Sequence, residues 1–306
     1  VSCEIILQAD ASTDALSTEI LKTDHLSRLT AYETEQLAAI DEWLDEMPGP
    51  AAQPLGRINS AAASTVQKAL PTAALKLALD AVHASAVRLS DRRSVLRRAG
   101  VERLDELLTL PLENCDRVAN AISRRAIVLA GISGSAFGIA GSFGLIADVP
   151  TLLIQTLRTI HRIGLSYGED CSATLQRRLP IAIFALASAN DFEQKQAALH
   201  AIEYESQRHK AQWRGGVERA AQRELAKDAA MLSLNNLAKQ LAKHLGWRKV
   251  GGAVPVTGAL ISGSVNAWYL HDVSRSAQRV FQLRWLRQKY GADAKFSLLR
   301  QASTAD

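Results

Sequence analysis

Between Arg125 and Asp148 the chain runs for 22 residues without a charge, AIVLAGISGSAFGIAGSFGLIA. Glycines recur inside it at 131, 134, 138, 141 and 144, in steps of three and four. At 100° per residue these five lie within about 140° of a helix circumference. Leu129, Ile132, Ile139, Phe143 and Ile146 crowd the other side. The spacing predicts a helix with one bare face and one bulky face, a shape suited to close backbone contact along Gly131, Gly134, Gly138, Gly141 and Gly144. A second uncharged stretch, carrying Gly258 and Ser262, is expected to cross it closely.

The remaining pattern is helical as well. Thr30-Ala-Tyr-Glu33 has the form of a capping box, and Leu37, Ile40 and Leu44 then share one face as far as Pro48-Gly49-Pro50. Helical stretches follow at 59–89, with a break or kink at Pro71, and at 91–109 and 112–125. After Asp148-Val149-Pro150 a helix is predicted as far as Gly164 or Gly168. The apolar run 179–189 is too short for a bilayer and reads as a buried helix. An amphipathic helix covers 191–209, a longer one ends at Gly246, and the last runs over about 265–290. No alternating strand pattern occurs. The prediction is an all-α, multi-helix bundle with two central glycine-rich apolar helices.

One internal echo bears on that architecture. A shift of 124 places Arg124-Arg125 on Arg248-Lys249, Gly134 on Gly258, Gly138 on Ser262 and Asp148 on Asp272. It is either shared composition or an internal pseudo-repeat. The organisation expected is a polar arm over 1–28, a helical domain over 29–295 and a tail over 296–306.

Composition changes this picture little. The aromatic share of 5% leans away from sheet, and the net charge of +5 suits an acidic surface. Cys3, Cys115 and Cys171 form no CxxC, so neither a disulfide framework nor a metal site is expected, and reduced thiols fit a cytoplasmic setting. The first residues, VSCEIILQADASTDALS, lack a basic start followed by an apolar run, so no secretory signal is expected.

The uncharged segment is long enough to cross a bilayer, because 22 residues rise roughly 33 Å. Topology opposes simple spanning. Both uncharged segments carry their basic pair on the amino-terminal side, and 179–189 offers no adequate return span. A buried core and a shallow surface-inserting hairpin remain as alternatives. The last helix mixes Arg275, Arg279, Arg284, Arg287 and Lys289 with Trp268, Tyr269, Phe281, Trp285 and Tyr290. That mixture suits an interfacial helix on anionic lipid, with Arg275, Arg279, Arg284, Trp285 and Arg287 at the surface, or equally a docking helix with a solvated charged face. Dispersed basic residues and the lack of a binding motif argue against nucleic acid.

Candidate chemistry is sparse. Asp148, His161, Asp170 and His271 are the residues from which a hydrolase-type acid–base set could be built, if the fold gathers them. Asp148 also suits a helix cap, and Tyr167-Gly168 suits a helix end. No HExxH, GxSxG, phosphate-loop or dinucleotide fingerprint fixes a site, and no cofactor or metal is expected. Cys171, beside two carboxylates, is expected to keep its proton.

Four segments together resemble the EcsC family of bacterial proteins: YETEQLAAIDEW from Tyr32; the glycine-rich stretch continuing into ADVPTLLIQTLRTI; HRIGLSYGED; and VPVTGALISGSVNAWYLHDVSRSAQRVFQLRWL, with Pro255, Gly258 and Asn266 before a basic helix. The resemblance covers about residues 30–290. It implies a helical protein, and an association with transporters, since the founding member is linked to an ABC transporter operon. It brings no catalytic residues. Glu169 stands where the YGxD motif of the family leads one to expect an aromatic, and the amino-terminal arm has no counterpart. The function expected is that of a non-enzymatic accessory protein, peripherally attached to the cytoplasmic leaflet through an anionic membrane surface or a membrane protein. A hydrolase and a carrier of lipid or small apolar ligands are the alternatives.

Overall fold

The computed structural model describes residues 28–47, 88, 90–139, 141–172, 178–189, 191–210, 255–291 and 296–298, and for 137–139, 141–150, 204–210, 255–262 and 265 it describes the backbone alone. Seven α-helices and one short 3₁₀ turn make up the described residues, which contain no strand. The all-α expectation holds. The helices expected at 59–89 and up to Gly246, the arm and tail outside 28–298, and the basic pair Arg248-Lys249 of the echo lie outside the described residues.

Helix α1, Ala31–Asp45, starts where the sequence says it should. The Thr30 hydroxyl accepts from the Glu33 amide (3.2 Å) while the Thr30 amide donates to the Glu33 carboxylate (2.8 Å). Two amides that a helix start leaves without partners are thereby satisfied. Leu37, Ile40, Trp43 and Leu44 form its buried face. The stretch 91–109, expected as one helix, is instead α2, Arg92–Ala99, followed by the 3₁₀ turn Asp105–Leu108. Gly100 separates them with φ +75, a left-handed conformation that ends a helix at little cost to glycine.

The glycine-rich segment departs from its prediction. It is shared between α3, Leu112–Ile139, and α4, Gly141–Ser166. The Gln155 amide donates to the Ser133 hydroxyl at 3.3 Å, whereas residues that far apart on one straight helix would be separated by about 33 Å. The chain therefore turns back between them. Gly131, Gly134 and Gly138 belong to α3, while Gly141 and Gly144 open α4, so the five do not lie on one continuous helix. Pro150, expected to precede a helix, lies inside α4. The far end of α4 is a glycine stop: Glu169 N–H donates to Gly164 O (2.9 Å), Gly168 N–H to Leu165 O (3.2 Å), and Gly168 has φ +84.

Short α5, Leu179–Ala187, is buried as its composition requires, and α6, Phe192–Lys210, packs on it. The last helix, α7, Pro255–Tyr290, is the hub of the bundle: α1, α3, α4, α5 and the 3₁₀ turn all touch it. Its partnership with α3 is the most extensive. Asp116 meets Gln282, Asn120 meets Gln278, Gly131 lies against Ala267, and Ser135 lies against Gly263. Each step forward on α3 is thus matched by an equal step back on α7, which makes the pair antiparallel in one fixed register.

Candidate functional site

The two ends of the α3–α7 pair are built from different chemistry. At the Asp116 end, α3 presents Leu112, Cys115, Val118, Ala119 and Ile122 to the core, with Asp116 among them and equally buried. Its carboxylate accepts from Tyr32 Oη (2.7 Å), from Tyr167 Oη, and from Gln282 Nε2 (2.9 and 3.0 Å). Gln36 and Arg279 complete the set: Arg279 donates to Gln36 and Gln282 at 3.0 Å each. Burial raises the Asp116 carboxyl above the ordinary carboxylate range, against the pull of its tyrosine and glutamine donors. Burial, reinforced by Asp116, raises both tyrosines, so they stay protonated and donate. Cys115, next in the chain, is pushed up to about 12 by burial and then by Asp116. Donors from α1, α7 and the Tyr167 turn surround this carboxylate, so it ties helices together and has no reactive edge.

The basic residues of α7 belong to the same design. Arg284 Nε donates to Glu169 at 2.6 Å, with both side chains buried. Arg287 grips Glu203 through two bonds of 2.8 and 3.0 Å, Arg275 pairs with Glu46 (2.8 Å), and Lys289 pairs with Glu33 (2.9 Å). Trp285 is buried and donates to Leu107 O. The sequence suggested Arg275, Arg279, Arg284, Trp285 and Arg287 as a lipid-facing set. The structure turns Arg279, Arg284, Trp285 and Arg287 inward, toward acidic, amide or carbonyl groups of other elements, while Arg275 stays 41% exposed in a surface pair with Glu46. Glu169, the departure from the family motif, is the buried acid that Arg284 requires.

The hydrolase-type set is not gathered. His161 is buried within α4; Asp170 accepts from Arg92 (3.4 Å) and from the Ser172 amide (3.0 Å); exposed His271 faces Asp272 at 3.4 Å. The side chain of Asp148 lies outside the described residues. Among the described residues no three His, Cys, Asp or Glu side chains are grouped so as to hold a metal ion. Burial, then Glu169, raises the Cys171 thiol well above its usual value, which leaves it an inert core residue.

The glycine end is different. A Cβ added to Gly263 would run into the Ser135 hydroxyl and sit 2.8 Å from Gly131 O, so here the two backbones touch. Gly131 is on the seam, as expected, and Gly134 is buried. The α7 side of the contact is made by Gly263 and Ala267. The side-chain surroundings of Gly138, Gly141, Gly144, Gly258 and Ser262 are outside the described residues. Beside this crossing Val128, Leu129 and Ile132 stand 60%, 44% and 63% exposed on α3, and Trp268 on α7 is 38% exposed. Arg124 and Arg125, one turn before Val128, are exposed too. No helix among the described residues is long and apolar enough to cross a membrane.

Sequence reasoning missed Asp116, Gln282, Gln36 and Gly263. The first had a readable signal, a lone acid at core spacing between Leu112 and Ala119. Gln282 and Gln36 had none, since their importance lies in partners distant along the chain.

The family model described as the EcsC protein family matches residues 34–286. The chain is 24% identical over 188 residues to a Bacillus subtilis (strain 168) protein named "Uncharacterized protein YdbA", a match covering 61% of this chain and 64% of that protein. It is also 24% identical over 176 residues to Protein EcsC of the same organism, covering 56% of this chain and 66% of that one. The matched region thus spans less than two thirds of either relative. No solved structure matches. The chain belongs to the EcsC family.

Proposed function

We propose, from that membership as premise, that the chain is a non-enzymatic accessory protein that docks peripherally on an anionic membrane surface at the cytoplasmic leaflet, through the glycine end of its α3–α7 pair. The observation carrying this reading is the exposed apolar group of Val128, Leu129 and Ile132 with Arg124 and Arg125 beside it. Large apolar side chains clustered at a rim of cations are the composition that inserts at a headgroup boundary. The Gly131–Ala267 contact sets Trp268 at the same level of the bundle, where an indole suits a membrane interface. The attachment surface is thus the start of the glycine segment, and α7 contributes one aromatic to it.

Co-sedimentation with vesicles tests the proposal. The chain should pellet with phosphatidylglycerol vesicles and stay behind with phosphatidylcholine, and added salt should weaken the binding. Val128→Ser with Ile132→Ser should reduce pelleting about tenfold while leaving the melting temperature nearly unchanged, because both side chains are already in water. Equal pelleting of the double variant and the parent would overturn the reading.

A further inference from the structure

Arg162, on α4, is only 9% exposed, and its Nε has no hydrogen-bond partner. Every other buried or half-buried cation described above, Arg275, Arg279, Arg284, Arg287 and Lys289, is held by an acid or an amide oxygen. The neighbours of Arg162 are instead of its own sign: Arg158 one turn earlier on α4, Arg125 on α3 and Arg98 on α2. After burial, repulsion from these three is what lowers the Arg162 pKa. The packing of α2 against both α3 and α4 brings the three helices together here. Asp91 is the acid that counters them, and its carboxylate already accepts from the Ser94 amide at 3.3 Å.

A guanidinium cannot shed its proton in a protein, so burial among like charges is retained only where an anion completes the site. We propose that Arg98, Arg125 and Arg162 form a seat for a phosphate group. Three cations, with Asp91 the acid described among them, leave room for both charges of a phosphate. Donors arriving from three helices suit a tetrahedral acceptor better than the single plane of a carboxylate. The phosphate would belong to a lipid headgroup or to a free phosphate. The lipid form rests on the membrane reading above and adds geometry to it. Arg125 lies one turn before Val128 and Leu129, so a headgroup on the arginines would direct its acyl chain along the exposed apolar side chains.

The test uses the full chain with sodium phosphate against sodium chloride at matched ionic strength, followed by vesicles. Phosphate at about 100 times its dissociation constant should raise the melting temperature by about 5 °C. Arg162→Met should melt higher than the parent in chloride, because an uncompensated charge is gone, and should lose the phosphate response. A purely structural Arg162 would give the opposite sign in chloride. Arg98→Gln, at an exposed position that leaves folding intact, should weaken phosphate binding about tenfold, while Arg117→Gln, exposed elsewhere on α3, should not. In the lipid form, Arg162→Met also weakens binding to phosphatidylglycerol vesicles about tenfold, and free phosphate competes. A phosphate response lost in Arg162→Met without any vesicle binding keeps the seat, assigns it to free phosphate and removes the membrane reading. No phosphate response, with Arg162→Met pelleting like the parent, overturns the seat and leaves membrane docking standing.

Discussion

The two ends of the α3–α7 pair share one register and one pair of backbones, yet they meet opposite fates. Around Asp116 the helices are held apart by side chains, the Asp116 carboxylate has three donors, and Arg284 and Arg287 sit on acids. Around Gly131 and Gly263 the backbones themselves touch and apolar side chains stand in water, and on neighbouring α4 the Nε of buried Arg162 lacks an acceptor. A polar group that is satisfied in the free chain is explained by folding alone. The unsatisfied guanidinium of Arg162 is the one that the proposed phosphate would complete. The contrast separates the part of the molecule that keeps it folded from the part through which we propose that it acts.

The largest break in this contrast should come from the satisfied end. Asp116→Ala leaves Tyr32, Tyr167 and Gln282 donating into a void, and should cost about 3 kcal/mol or more in denaturant unfolding. A loss under about 1 kcal/mol would mean that the hub does not hold the fold. Next, Gly263→Ala meets the carbonyl oxygen of Gly131 at 2.8 Å, and overpacking of this kind costs about 1–3 kcal/mol. An unchanged midpoint would show that the two backbones do not touch.

Gly131 sharpens the comparison within the seam. A Cβ there would find Ala267 at 3.6 Å and Gly263 O at 3.7 Å, ordinary contacts. Gly131→Ala should therefore stabilise the chain by up to about 1 kcal/mol through helix propensity alone. Two glycines facing each other across one crossing should thus respond with opposite sign. The smallest effect concerns acid. Burial pushes the Glu33 carboxyl up, but the Thr30 amide, Lys289 and Tyr290 outweigh it and hold it below its ordinary value of 4.5. A group depressed in this way gives its full stability above its unfolded pKa and loses it as pH falls through the folded one. Glu33→Gln should therefore flatten the fall of melting temperature below a pH of about 4.5, and an identical acid limb in both proteins would refute the linkage.

How much of this was legible in the chain depends on how far each signal had to travel. Thr30 and Glu33 lie three apart and announce their capping box; Gly168 announces the end of α4; the composition of 179–187 announces burial. The glycine spacing located a close helix contact at Gly131 but also suggested one helix where the structure has two. Periodicity records which faces match, and it is silent on where a glycine-rich helix turns back.

The sequence by itself determined the helical class, the caps at Thr30 and Gly168 and the apolar faces, because those depend on neighbours within one or two turns. Tertiary structure alone decided the direction of the α7 cations. A basic stripe has the same pattern whether it faces lipid, water or buried acid. Only the assembled bundle sets Glu46, Glu169, Glu203 and Glu33 opposite Arg275, Arg284, Arg287 and Lys289, and sets no such acid against the Nε of Arg162. Charge pairing is a property of distance in space, and distance in space is what a linear order of residues does not contain.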